Sequence, residues 1–438
     1  MDVVLSVLSS FAALASLDGR TLLPILVLLA TLAVLARPML FVPSALVFLF
    51  VLLAAPGSPP ALAQEPPPPT RVLAPPAIEQ PAARQVSYGL VTGRAAPGTR
   101  TVVVSVGGRT LTSAPLRGRG FSLRVELPLG GVAVRVTTTT AGGRSSSIVV
   151  RDVFGLPGAA RPRLAVARND TLLARELRAL TRSHASTSAF YVQSLTSGGG
   201  AAWNAKARFP AASTVKLALA AAVLAQDAGI PARGSRVAGL LHEMLTVSDD
   251  QAANDLLVWL AGSTSAGGQR VNALMRSIGL VDTVMYGGYD VRTLSSRIPV
   301  RVERQPAFGV GKHTTAWDMA ALWRAIWLAS ANRGPLRAAQ PGLTAAEARY
   351  LLWLAAHATD PPKLARIEHT RPGVAVLHKA GWISTARHDT GLVFWKGGVL
   401  VASVLTWNAR GAKESSDLLA GQIAATALRH LRSENSKK

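Results

Sequence analysis

A serine and a lysine stand three residues apart in the stretch "PAASTVKLAL", residues 210–219. On a helix these positions share a face, so the Ser213 hydroxyl and the Lys216 amine can come within hydrogen-bonding reach. Ser213 would lie in the first turn, where backbone N–H groups and the helix dipole favour developing negative charge. The apolar neighbours Val215 and Leu217 would desolvate the amine and lower its pKa. The stretch therefore predicts a serine nucleophile activated by a lysine, the alternative being a buried helix whose lysine reaches water.

Two further polar groups follow in chain order. Ser248-Asp249-Asp250 stands in "EMLTVSDDQAANDLL", in a short break between two predicted helices, and Lys379-Ala380-Gly381 stands in "VLHKAGWISTARHDTGLVF", late in a predicted strand. With the frames "FPAASTVKLAL" and "HTTAWDMAALWRAI", this order resembles the penicillin-recognising serine hydrolases, most closely the class A β-lactamases and their secreted relatives. The resemblance covers residues from about 172 to 431.

The resemblance implies a role for each polar group. Ser213 would be the acylated nucleophile, and Lys216 its base or a member of the proton network. Ser248 would relay a proton to the leaving nitrogen, because a hydroxyl can both donate and accept. Lys379 would hold the substrate carboxylate and polarise Ser248. The backbone N–H groups of Ser213 and Trp382 would form the oxyanion hole.

The middle triplet departs from the family pattern at its third residue. Asp250 stands where the family has asparagine, so an ionised side chain would lose the amide donor that contacts the substrate. A carboxylate near Lys216 would also raise the pKa of that lysine and weaken it as a base. We therefore expect Asp250 at the substrate-binding site, with slower acylation or a different substrate.

The late strand also departs from the pattern. Ala380 replaces the family's threonine and removes one hydroxyl from the carboxylate site, while Gly381 is kept. Arg387, or the hydroxyls of Ser384 and Thr385, are the candidates that would replace it. Gly381, Trp382 and Arg387 are accordingly predicted to contact the substrate.

The glutamate that activates water in class A enzymes has no counterpart with the expected spacing. Asp290 is the nearest carboxylate and Glu303 the next, but a solvated loop accounts for both better than a catalytic role does. Without such a base, an acyl-enzyme on Ser213 should persist. We expect no cofactor and no metal, since His242-Glu243 begins like a zinc-protease helix but the second ligand position holds Thr246.

The elements that position these groups fall into two regions. Residues 86–155 alternate Val, Thr, Ser and Arg in short runs separated by turn residues, which predicts a small all-β, immunoglobulin-like sandwich. Residues 160–433 begin with a strand hairpin, continue with a helix cluster and end with three strands and a helix. This order predicts an α+β domain of the β-lactamase and transpeptidase kind, a helical cluster packed on an antiparallel five-stranded sheet. The predicted helices include Ala212–Gln226, Asp250–Ala261, Thr315–Ala331 and Thr344–Ala356.

The N-terminal region indicates the compartment. Residues 1–63 hold two apolar runs and a small-residue motif before Gln64, which predicts a cleaved signal peptide or retained membrane segments. Residues 64–85 are rich in Pro and Ala and predict an extended linker. Either alternative places the rest of the chain outside the cytoplasm, secreted or anchored to the membrane.

Charge and cysteine content limit the partners. A formal net charge of +23 favours anionic partners, and the absence of any nucleic-acid motif favours the cell envelope over nucleic acid. The chain has no cysteine, so it contains neither disulfides nor thiolate metal sites.

Three functions remain open from the sequence. The first is an exported serine hydrolase that forms an acyl-enzyme with β-lactams or related cell-wall peptides. The second is a D,D-peptidase or esterase-like relative with slow deacylation. The third is a penicillin-binding sensor or a non-catalytic cell-wall binding module.

Overall fold

The computed structural model describes residues 72–227, 229–289, 308 and 311–435. The apolar runs, the first part of the linker (residues 64–71), Asp290 and Glu303 lie outside these residues. Within the described part of the chain, no helix has both the length and the apolar character needed to cross a membrane.

The first region folds as a β module of two facing sheets. A three-stranded sheet has the order β1-β3-β6, and a five-stranded sheet has the order β2-β8-β7-β4-β5. Alternate valines of both sheets, with Phe121, form the core between them. The strands are β1 (Ala77–Gln80), β2 (Gln85–Ser87), β3 (Leu90–Arg94), β4 (Thr99–Val106), β5 (Arg109–Pro115), β6 (Gly120–Arg124), β7 (Gly130–Thr140) and β8 (Ser145–Gly155).

The β module begins earlier than the sequence predicts. Strand β1 pairs with β3, and β2 pairs in parallel with β8, in a stretch predicted to be spacer. Ile78 packs against the core of the module. The prolines of this stretch flank β1 and none lies within it, so the strand keeps all of its backbone N–H donors.

The second region is an α+β domain, as the sequence predicts. Its sheet has the order β14-β15-β16-β10-β11-β9, in which five strands run antiparallel and the two-residue β9 adds a parallel edge. The strands are β9 (Arg168–Asn169), β10 (Thr187–Ser194), β11 (Gly199–Trp203), β14 (Val374–Ile383), β15 (Ala386–Trp395) and β16 (Gly398–Trp407), with a separate pair β12 (Phe209–Pro210) and β13 (His313–Thr314). The two ends of the domain thus build one sheet.

Helices cover both faces of this sheet. Alternate residues of β15 and β16 point into two separate apolar clusters, one shared with α1 and α10 and the other with α2, α6 and α8. The helices are α1 (Thr171–Arg182), α2 (Lys216–Asp227), α3 (Arg236–His242), α4 (Asp250–Ala261), α5 (Thr264–Ser277), α6 (Ala316–Ala329), α7 (Gly334–Ala339), α8 (Ala345–Ala355), α9 (Arg366–Thr370) and α10 (Ser415–Asn435). Helix α2 is buried on nearly every side, so its first turn is held firmly at the sheet edge.

Candidate active site

The nucleophile candidate lies in a 3₁₀ turn, Ala212–Val215, that leads directly into α2. Ala212 has a positive φ of 47°, a conformation that an L-residue rarely adopts without support from its surroundings. Thr214 supplies part of this support by donating its hydroxyl to the Ala211 carbonyl at 2.6 Å. Ser213 remains half-buried, whereas the Lys216 side chain is fully buried.

A buried histidine anchors the chain just before this turn. His388 of β15 contacts the Pro210 carbonyl oxygen through Nε2 at 2.6 Å and accepts the Thr406 N–H at Nδ1. Burial lowers the pKa of His388 to about 4, so the ring is neutral at physiological pH. Both of its nitrogens are used in holding the backbone, and the residue has a structural role.

Lys216 contacts the Ser-Asp-Asp turn, residues 248–250. Its ammonium donates to the Ser248 carbonyl oxygen at 2.5 Å and to Asp250 Oδ1 at 2.6 Å. Burial lowers the pKa of Lys216, while the hydrogen bond and charge of Asp250 act to raise it. The structure therefore brings together the three residues that the sequence predicts at this point, and Asp250 opposes the effect of burial.

The Ser-Asp-Asp turn owes its shape to the elements on either side. A five-residue π-helical turn, Glu243–Val247, ends at Ser248, which takes the left-handed conformation with φ 63° and ψ 31°. Asp249 then caps α4 by accepting the Ala252 N–H at 2.6 Å. Asp250 is the first residue of that helix, which directs its carboxylate back to Lys216.

Lys379 joins the same group from strand β14. Its ammonium donates to Ser248 Oγ at 2.9 Å and to Asp360 Oδ2 at 2.6 Å, and both charged side chains are 1% exposed. Burial lowers the pKa of Lys379 to about 8, although Asp360 acts in the opposite direction. Ser248 thus lies between two lysines, one on its carbonyl oxygen and one on its hydroxyl.

Asp360 is a site residue that sequence reasoning missed. The neighbouring Thr359 donates its N–H to the Thr246 carbonyl at 2.7 Å and its hydroxyl to the same oxygen at 2.9 Å. These bonds fix the loop after α8 beside the Ser-Asp-Asp turn and bring Asp360 to Lys379. No local motif marks an aspartate 19 residues before its partner, so the sequence offered no signal for it.

Gly381 lets strand β14 approach the nucleophile turn. A Cβ at this position would lie 2.8 Å from the Ser213 nitrogen and 2.9 Å from the Thr214 nitrogen, closer than packed atoms allow. Trp382, next to it, is 42% exposed, and the Lys363 ammonium lies 4.9 Å from the centre of its ring. The structure thus places Gly381 and the Trp382 backbone at the edge of the site, whereas strand alternation turns the Trp382 side chain to the face opposite Lys379.

Arg387 does not reach the carboxylate site for which it was a candidate. It pairs with Trp382 across the β14–β15 hairpin, and side chains alternate along a strand, so it points to the face opposite Lys379. Its guanidinium binds Asp417 of α10. Ser384 and Thr385 form the hairpin turn itself, where their carbonyl groups bond the chain near Asn408.

Tyr289 is a second neighbour that the sequence did not predict. Its ring centre lies 4.6 Å from the Lys216 ammonium, and its backbone N–H donates to Asn254 Oδ1 at 2.7 Å. Burial and the charge of Asp250 raise the pKa of Tyr289 well above its ordinary value. The phenol therefore stays protonated and cannot serve as a base for water at neutral pH.

The arrangement is suited to acyl transfer. It combines a serine at the start of a helix, a buried lysine three residues later, and a second serine hydroxyl held by a second buried lysine. No cluster of three or more His, Asp or Glu side chains suitable for a metal occurs among the residues that the structure describes.

Comparison with known proteins finds one family model and several similar structures. A family model described as "Beta-lactamase enzyme family" matches residues 172–229 and 231–431, more than half of the 438 residues. The chain is similar in structure to PBP-A, with 19% identity, a TM-score of 0.49, and coverage of 62% of this chain and 100% of that one. A PBP-A mutant in acyl-enzyme complex with penicillin G has 20% identity, a TM-score of 0.48, and coverage of 61% of this chain and 99% of that one. A β-lactamase from Sphaerobacter thermophilus DSM 20745 has 22% identity, a TM-score of 0.44, and coverage of 59% of this chain and 96% of that one. The search of curated proteins returned no match.

Proposed function

The chain belongs to the β-lactamase enzyme family, and on this basis we propose that it is a serine hydrolase that forms an acyl-enzyme on Ser213. Its substrates in this proposal are β-lactams or related cell-wall peptides. The observation that carries the proposal is the position of Ser248, whose carbonyl oxygen accepts from Lys216 and whose hydroxyl accepts from Lys379. Three motifs far apart in the sequence thereby meet in one site.

The proposed acylation step uses these contacts for its proton transfers. Ser213 Oγ attacks the amide carbonyl, and its proton passes to the neutral amine of Lys216, whose pKa burial lowers. The C–N bond breaks, and Ser248 gives a proton to the leaving nitrogen and is reprotonated through the lysine pair. The N–H groups of Ser213 and Trp382 are the proposed oxyanion donors, each typically worth about 3 kcal/mol.

Lys379 is the proposed anchor for the substrate carboxylate. Its pKa of about 8 keeps the ammonium charged at neutral pH, and the buried Asp360 fixes its position. The third N–H of the ammonium donates to the Ala380 carbonyl at 3.1 Å, and a substrate carboxylate would replace this contact. It would bind in a largely dehydrated site, where a charge-assisted hydrogen bond is strong. This favours β-lactams and peptide carboxylates over neutral amides.

A D,D-peptidase or penicillin-binding sensor is a second candidate, favoured by Tyr289. A protonated tyrosine lies beside Lys216 and cannot activate water. Of the weak candidates for the deacylating base, neither Asp290 nor Glu303 lies in the described part of the chain. Slow deacylation would make a long-lived adduct the main product of the reaction with penicillin.

We also propose that the protein acts outside the cytoplasm. The apolar N-terminal runs and the Pro-rich stretch after them support export, and the net charge of +23 suits an anionic cell envelope. Fractionation of cells expressing the full chain, followed by immunodetection in the medium, membrane and cytoplasm, tests this; recovery only in the cytoplasm contradicts it.

The experiment that tests the function is a time course with a fluorescent penicillin. The proposal expects covalent label on the folded protein, and the rate at which label is lost separates a β-lactamase from a peptidase or sensor. If the label turns over rapidly, Asp290→Asn and Glu303→Gln are compared to find the base. Folded protein that takes no label rules out the serine-nucleophile proposal.

A further inference from the structure

An apolar cavity of about 370 Å³ lies on the same sheet as the site but several strands away. One wall is β10, which is three strands from β14 in the sheet and thus about 14 Å from Lys379 at ordinary strand spacing. Its volume is within the range typical of small-molecule sites. The apolar lining comprises Leu164, Ile278, Leu280, Trp317, Leu328 and Pro335.

A buried amide nitrogen in this lining lacks a hydrogen-bond partner among the described residues. Gln193 is 3% exposed, and its Oε1 accepts the Tyr191 hydroxyl at 3.1 Å. Its Nε2 is buried and has no hydrogen-bond partner among the described residues. An unpaired buried donor destabilises the fold, so an acceptor in the cavity would be favourable.

A guanidinium lies at the same cavity. Arg324 of α6 is half-buried and donates to the Ala165 carbonyl at 3.3 Å, which leaves other N–H donors of its five available. No aspartate or glutamate is among the residues that line the cavity. The charge of Arg324 therefore has no counter-ion there, and an anionic acceptor fits better than a neutral one.

We propose that this cavity binds a small monocarboxylate with an apolar chain, of the fatty-acid class. The carboxylate accepts from Gln193 Nε2 and Arg324, and the chain lies among the apolar lining residues. Binding at this cavity does not depend on the chemistry at Ser213, so this proposal can be tested independently of the proposed function.

Isothermal titration of the protein with decanoate below its micelle concentration tests the proposal, with decanol as the neutral probe of equal length. Decanoate is expected to bind roughly tenfold more tightly than decanol, since only the anion pairs with Arg324. Arg324→Gln weakens decanoate binding by roughly tenfold and leaves decanol binding unchanged, because only the anion pairs with the guanidinium. Gln193→Leu weakens binding of both probes, because the decanol hydroxyl also accepts from Gln193 Nε2. Ala321→Phe fills the cavity, because Ala321 lines it, and abolishes binding of both probes.

A matched control separates this site from general attraction to a basic protein. Arg175→Gln removes an exposed arginine of α1 and should leave decanoate binding unchanged. Circular dichroism tests whether each variant is folded. If Ala321→Phe does not fold, the Arg324 and Gln193 variants alone test the binding site. No binding of decanoate to the wild type, equal affinity for decanol, or equal weakening by Arg324→Gln and Arg175→Gln each overturns the proposal.

Discussion

At the residue scale, Asp250 controls the base that the proposed mechanism requires. Its carboxylate raises the pKa of Lys216 against the effect of burial. Asp250→Asn keeps a polar side chain but removes the charge, so the pKa of Lys216 falls and more of the amine is neutral at pH 7. We predict faster acylation by penicillin, by up to about tenfold per pKa unit, with the acidic limb of the pH–rate profile moved to lower pH.

Stopped-flow labelling across a pH series measures this effect. Asp255→Asn is the matched control on the same helix, because Asp255 binds Arg236 and Gln251. Slower acylation in Asp250→Asn with an unmoved acidic limb would contradict the role assigned to Asp250.

Lys379 gives a second pH dependence of the opposite sense. With a pKa of about 8, its ammonium is charged below that pH and loses the charge as the pH rises through it. Acylation by a penicillin with a free carboxylate should therefore decline above pH about 8, whereas its methyl ester should show no such decline. Because Asp360 raises the pKa of Lys379, Asp360→Asn should move the decline to lower pH.

Second-order acylation rates for the two substrates, measured from neutral to alkaline pH, check this prediction. Identical profiles for the acid and the ester would exclude Lys379 as the carboxylate anchor.

The sequence predicted the site residues that belong to motifs and missed those that do not. Ser213, Lys216, Ser248 and Lys379 are predicted from the sequence because three motifs in this order rarely occur together by chance. The structure brings Lys216, Ser248 and Lys379 into contact. Asp360 and Tyr289 reach the site through long-range contacts, Thr359 with Thr246 and Tyr289 with Asn254, which leave no local pattern.

Arg387 was placed wrongly because its face depends on the hairpin register. Ile383 pairs with Ala386, so Trp382 faces Arg387 and both lie on the opposite side from Lys379. Once that register is known, the alternation of side chains along the strand determines the face on which Arg387 lies.

At the element scale, the contact between strand β14 and the nucleophile turn holds the site together. Gly381→Ala would place a Cβ 2.8 Å from the Ser213 nitrogen and force the strand and turn apart. We predict an acylation rate lower by about a hundredfold and a loss of about 1–3 kcal/mol in the free energy of unfolding.

Labelling rates and urea denaturation measure the two effects of Gly381→Ala. Gly239→Ala is the control, since its Cβ meets open space on α3 and should stabilise the protein by about 0.5–1 kcal/mol. Wild-type acylation in Gly381→Ala would show that this contact does not position Ser213.

Helix α4 and strand β1 show what local sequence can and cannot predict about elements. The predicted bounds of α4, Asp250–Ala261, match the structure because Asp249 caps its start and Gly262 ends it in the left-handed conformation. Strand β1 was missed because its Pro-rich surroundings are also typical of a spacer, and only pairing with β3 makes it a strand.

At the scale of the whole molecule, the β module docks on the side of the α+β domain that carries α2, α6 and α8. Val86, Tyr88 and Leu156 belong to the same apolar cluster as α2, α6 and α8. Arg349 of α8 donates to Gln85 Oε1 at 2.7 Å, and the Tyr88 hydroxyl lies 3.3 Å from Ser330 Oγ. The sequence predicted both regions in the right order. It could not predict how they dock, because the contacts join residues that are more than 200 positions apart in the chain.

Tyr88→Ala tests whether the two regions unfold together. Removing this buried side chain should lower the free energy of unfolding by about 3 kcal/mol, in a single transition and with little change in acylation rate at permissive temperature. Urea denaturation followed by fluorescence measures the free energy of unfolding. Tyr286 is exposed, so Tyr286→Ala is the control and should change this free energy by about zero. Two separate transitions would show that the β module folds independently.

The central claim is that Ser213 is acylated, and mass spectrometry tests it most directly. Intact protein incubated with benzylpenicillin and then digested should carry one penicilloyl group on the peptide that contains Ser213, and Ser213→Ala should carry none. An adduct on another residue, or an unchanged mass in folded wild-type protein trapped at early times, would contradict the claim.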